Sequence, residues 1–67
     1  MDTLRLADAL ARVRAADAVL RLVSAEADLR ARYVGELKAA VADVARCHDR
    51  VAAAGARAVL ARWTSAR

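Results

Sequence analysis

The sequence predicts an all-α chain: an antiparallel hairpin of two long helices with coiled-coil-like packing, completing a bundle by association. Three observations lead there. Of the 67 residues, 20 are Ala, 8 Leu and 11 Arg, and none is Pro, so strong helix formers dominate and nothing breaks the backbone pattern. Apolar residues recur alternately three and four apart, the rhythm of a helical seam. Gly35 lies almost at the midpoint, and glycine commonly marks a helix stop.

The first helix is expected over about residues 3–33. Thr3 is a candidate N-cap, with Asp2 before it and Asp8 following. Four pairs place an acid four residues ahead of an arginine: Asp8–Arg12, Asp17–Arg21, Glu26–Arg30 and Asp28–Arg32. That is the favourable orientation, at about 0.2–0.5 kcal/mol per pair. Leu6, Ala9, Val13, Ala16, Leu20, Val23 and Ala27 form its seam.

A turn near 33–36, in Tyr33-Val34-Gly35-Glu36, leads into a second helix over about 36–63. Its seam continues the same rhythm through Val34, Leu37, Val41, Val44, His48, Val51, Gly55 and Ala58, and Arg30 is the one charged residue in a seam slot before Gly55. Folding at Gly35 sets Leu6 against Trp63, Leu10 against Val59 and Val13 against Ala56, large residues against small ones in the middle. The tail from Trp63 to Arg67 is expected to fray. The whole, 1–67, is a single helical domain. Two other architectures fit the register: one continuous coiled-coil helix of about 60 residues, about 90 Å long at 1.5 Å per residue, and a chain broken at Ser24, which could cap a helix beginning at Ala25-Glu26.

Such a chain has a thin core. Half of its apolar residues are alanines, and each buried CH₂ contributes only about 0.8 kcal/mol. Proteins of this size gain stability from disulfides, a metal or a partner. Cys47 is the one cysteine and His48 the one histidine, which leaves no internal disulfide and no finger-like ligand set. No cofactor is expected. Association remains, with itself or with another protein.

A second apolar stripe, Val19, Leu22, Leu29 and Tyr33, falls on one helical face away from the seam. Two stripes imply two neighbours. The expected partner interface therefore comprises these four together with Val41, Val44, His48 and Val51. A histidine in an apolar seam would loosen the assembly when protonated. The stretch Val51-Ala52-Ala53-Ala54-Gly55-Ala56 is small throughout and lets helices approach closely.

Catalysis is not expected. Cys47 and His48 are adjacent, so on a helix they point about 100° apart and cannot form a thiolate–imidazole dyad. The carboxylates are dispersed and each has a nearby arginine, and two glycines make no phosphate loop. No apolar run approaches the roughly 18 residues of a membrane span, and the N-terminal residues do not resemble a secretory leader. A lone thiol fits a reducing compartment, so a cytoplasmic location is expected.

The net charge is +4, and the excess lies in the second half. Arg46, Arg50, Arg57 and Arg62 are candidate phosphate contacts, although no Asn or Gln is present to read bases and only Tyr33 and Trp63 could stack on them. The expectation is a non-enzymatic protein–protein interaction module (an adaptor, small chaperone or assembly subunit), with a basic nucleic-acid-binding helix protein as the alternative.

Overall fold

The computed structural model describes residues 2–65, with side-chain surroundings from Leu4 onward. Three helices make up this stretch: α1, Asp2–Val23; α2, Ala27–Arg46; and α3, Arg50–Thr64. The longest dimension is 37 Å, close to the roughly 33 Å that 22 helical residues span at 1.5 Å each, so the molecule is one helix long. Arg12, midway along α1, binds Asp43 near the end of α2, and Val19 near the end of α1 shares a cleft with Arg32 and Tyr33 in the first half of α2; the two run antiparallel. Trp63 near the end of α3 binds Asp17 in the second half of α1, so α3 runs with α1. The α1–α2 interface is the most extensive, α2–α3 is smaller and α1–α3 smallest.

The chain is therefore all-helical and bundle-like, but it is not the two-helix hairpin. Helix continues through 33–36, and Gly35 sits exposed inside α2 with an ordinary negative φ. A glycine inside a helix costs about 0.5–1 kcal/mol relative to alanine. That is less than the burial gained by keeping fully buried Leu37 on the same helix as half-buried Tyr33 and Val34. The chain reverses instead at 24–26 and at 47–49.

The first reversal matches the break considered at Ser24, displaced by two residues. Glu26, rather than Ser24, is the N-cap, and its side chain makes no capping bond. Its backbone N–H donates to the Val23 carbonyl at 2.9 Å, and Glu26 and Asp28 place negative charge at the positive end of α2. The second reversal is better marked. His48 adopts φ 59°, the left-handed conformation that few non-glycine residues take but histidine tolerates better than most. Asp49 then caps α3 by accepting from the Ala52 N–H at 2.9 Å.

These turns explain how far the seam persists. Ala9, Val13, Ala16 and Leu20 of α1 and Leu37, Val41 and Val44 of α2 are buried as the rhythm predicts. Beyond Val44 the turn resets the phase. His48, Val51, Gly55 and Ala58 are exposed, and α3 packs through Ala53 and Ala56, with Val59, Leu60 and Trp63 partly buried beside them. Half of the buried core is alanine: Ala9, Ala16, Ala40, Ala53 and Ala56.

Both chain ends differ from expectation. α1 starts at Asp2, ahead of Thr3, whose side chain lies outside the described residues, as do Ala66 and Arg67. Trp63 does not fray and does not face Leu6. It is helical and half-buried, and its indole N–H donates to Asp17 at 2.8 Å. Asp8–Arg12 (3.3 Å) and Asp17–Arg21 (3.1 Å) form as predicted. Arg30 turns away from Glu26 and donates to the Trp63 carbonyl at 3.2 Å, satisfying an acceptor in the last turn of α3. Arg32 stacks on the Tyr33 ring, 5.7 Å from its centroid, rather than pairing with Asp28.

Candidate functional site

The antiparallel packing of α1 on α2 leaves an open cleft along their outer side. Ala15, Ala16 and Val19 of α1 and Tyr33, Gly35 and Ala39 of α2 line it, with Arg12, Arg32 and Glu36 at its edges. Small residues dominate because each helix turns its larger side chains inward, Leu20 and Leu37 being fully buried. Val19 and Tyr33 are half-buried in the cleft wall.

Leu22 lies one turn beyond Val19, and Leu29 one turn before Tyr33, so helical phase puts both on this side, flanking the 24–26 turn. Leu22 is 85% exposed and Leu29 38%. Val19, Leu22, Leu29 and Tyr33, predicted as a stripe on one helix, thus occupy one face built from two helices. The seam phase survives the first turn, which is why the stripe stays together.

The other residues expected at an interface are dispersed. Val41 and Val44 lie inside the chain's own core, at 7% and 0% exposure, and are closed to a partner. His48 is exposed in the second turn and Val51 is 84% exposed at the start of α3. His48 therefore occupies no apolar seam, and the reason for expecting its protonation to loosen an assembly is removed.

Polar groups close the other end of the α1–α2 cleft. Arg12 binds both Asp8 and Asp43, and Arg46 donates to Asp43 at 2.8 Å. The hydrogen bond from Arg12, reinforced by its charge and by that of Arg46, holds the Asp43 carboxyl below the usual carboxylate range; the same bond raises Arg12. The Cys47 thiol donates to the Asp43 carbonyl at 3.4 Å and is not directed at His48. Among the described residues no three His, Cys, Asp or Glu side chains gather as a metal site, and no helix is long and apolar enough to cross a membrane.

The four candidate phosphate contacts do not share a face. Arg46 is held by Asp43 beside α1. Arg62 lies 3.9 Å from Asp17, on the α1–α3 side. Arg50 and Arg57 border a cleft between α2 and α3 with His48 and Asp49. One continuous helix would align Arg46, Arg50 and Arg57; the phase change at 47–49 separates them.

Residues not singled out from the sequence complete the cleft: Ala15 and Ala39 on its walls and Glu36 at its edge. The available signal was spacing, since Ala15 lies one turn before Val19 and Glu36 one turn after Tyr33. Comparison with protein-family models, curated proteins and solved structures returns no match for this chain.

Proposed function

We propose that this chain is a non-enzymatic helical interaction module that takes a partner helix on the outer face of α1 and α2. The observation that carries the reading is the apolar face of Val19, Leu22, Leu29 and Tyr33 around a cleft of small residues. Covering Leu22 would contribute up to roughly 1.5–3 kcal/mol, and covering the less exposed Leu29 less than half of that; small residues between them admit the ridge of another helix. An adaptor, small chaperone or assembly subunit acting in the cytoplasm fits such a surface and a single free thiol. Nucleic-acid binding has less support, because two of the four candidate arginines are engaged by aspartates and the others lie on a different face.

The test is site-specific photocrosslinking in the native cell. A crosslinking residue at Leu22 or Leu29 is expected to yield protein adducts, and one at exposed Ala54 or Ala58 on α3 is expected not to. Equal yields at all four positions, or none at Leu22 and Leu29, would remove the reading.

A further inference from the structure

Resting on that reading, we infer that the occupant of the α1–α2 face is a second copy of the same chain, docked antiparallel about a two-fold axis level with Val34. Leu29, Arg32, Glu36 and Ala39 lie three and four residues apart along the outer side of α2, so they form one line on the helix surface. The line is self-complementary in both size and charge about position 34. An antiparallel α2 from another copy sets Leu29 against Ala39 and Arg32 against Glu36. The two-fold axis repeats each contact, as an isologous interface requires.

Arg32 and Glu36 are free for this. Neither makes an ion pair among the described residues. Within one helix an arginine four residues ahead of a glutamate is the weaker orientation. Stacking on Tyr33 instead holds the Arg32 guanidinium beside the cleft. A foreign partner would need to present the opposite charge order with a small residue opposite Leu29; a second copy already presents both. Gly35 fits the same placement: it borders the cleft, and apart from the adjoining backbone of its own helix nothing lies within 4 Å of where a Cβ would project. The half-alanine core adds a reason for association, since a chain this small has little internal burial to rely on.

Sedimentation velocity of the full chain across the micromolar range tests the inference, with circular dichroism confirming that exposed-site variants keep their helices. The wild type is expected to dimerise. Arg32→Glu and Glu36→Arg should each weaken dimerisation about tenfold, because each sets like charges opposite one another twice. The combined reversal should return affinity to within about threefold of wild type, because both pairs re-form with opposite polarity. A monomeric wild type overturns the second copy as occupant. A dimer indifferent to the single reversals, or one not rescued by the combined reversal, overturns the antiparallel pairing. A monomeric wild type that still gives adducts to other proteins at Leu22 and Leu29 leaves the interaction-module reading standing with a foreign partner; absence of face-specific adducts removes both.

Discussion

Between them α1 and α2 bury Leu20, Leu37 and Val44 completely, whereas α3 contributes only Ala53 and Ala56 to the buried core. The first two helices are joined by Val13, Leu20, Leu37, Val41 and Val44, packed with three alanines, and by the Arg12–Asp43 bridge. The third adds partly buried Val59 and Leu60 to Ala53 and Ala56, and its polar attachments lie at its end, where half-buried Trp63 reaches Asp17 and its carbonyl receives Arg30. Its middle is methyl groups. The α1–α2 pair is accordingly the structural unit that presents the proposed interaction face, and α3 is a cover whose attachment depends on few side chains.

That contrast can be broken most directly at Leu37. A protein of this size has about 3–10 kcal/mol of stability in total, and truncating a fully buried leucine costs about 2–5 kcal/mol. Leu37→Ala should unfold most of the chain, seen as loss of the helical signal in a thermal melt. A cooperative transition near that of the wild type would show that the α1–α2 core is not where the stability resides.

Trp63→Ala should cost less, roughly 1–3 kcal/mol, and should act locally. Hydrogen exchange is expected to show lost protection over residues 50–64 with protection over 27–46 retained. Uniform loss across all three helices would make α3 an equal partner in the fold.

The second turn offers opposed changes. Asp49→Ala removes the α3 cap and should lower stability by about 1 kcal/mol. His48→Gly relieves the positive φ and should raise it by up to about 1 kcal/mol. Denaturant titrations of the two variants should move to opposite sides of the wild type.

Gly35→Ala distinguishes a helix interior from a turn. Gly35 has a negative φ and open space around it, so alanine should stabilise the monomer by about 0.5–1 kcal/mol. A chain that turned at Gly35 would be destabilised by the same change.

The smallest expected effect is on pH dependence. Asp43 is held below the usual carboxylate range chiefly by the Arg12 hydrogen bond. Its stabilising contribution is present above that range and disappears as acidification protonates the folded carboxyl. Arg12 is raised and stays charged throughout, so it adds no slope there. Melting temperatures followed from neutral to acidic pH should fall less steeply in Asp43→Asn than in the wild type.

Helicity and much of the α1–α2 seam were legible in the residues, because alternation of three and four apolar positions directly encodes which side of a helix is buried. The first turn escaped a firm reading because Ser24-Ala25-Glu26 contains neither Gly nor Pro, and its cap uses backbone rather than side-chain bonds. Gly35 misled because a glycine's helical penalty is small beside the burial on either side of it. The second turn was readable at Asp49, a capping residue three before the amide it binds. An uninterrupted seam through His48 concealed it. Of the residues expected at an interface, Val19, Leu22, Leu29 and Tyr33 could be grouped by spacing. Val41 and Val44 could not be assigned between internal and external contacts, because an apolar stripe does not say whose helix covers it.

Trp63 is the only tryptophan in the chain, and its indole nitrogen meets a carboxylate of another helix. The molecule therefore contains one indole fluorophore, which can be excited selectively over Tyr33, placed at the junction between α3 and the rest. Its emission should shift to the red when α3 lifts away, even while all three helices remain wound. Comparing fluorescence with circular dichroism during unfolding would time the departure of the cover against the melting of the pair beneath it, without any label.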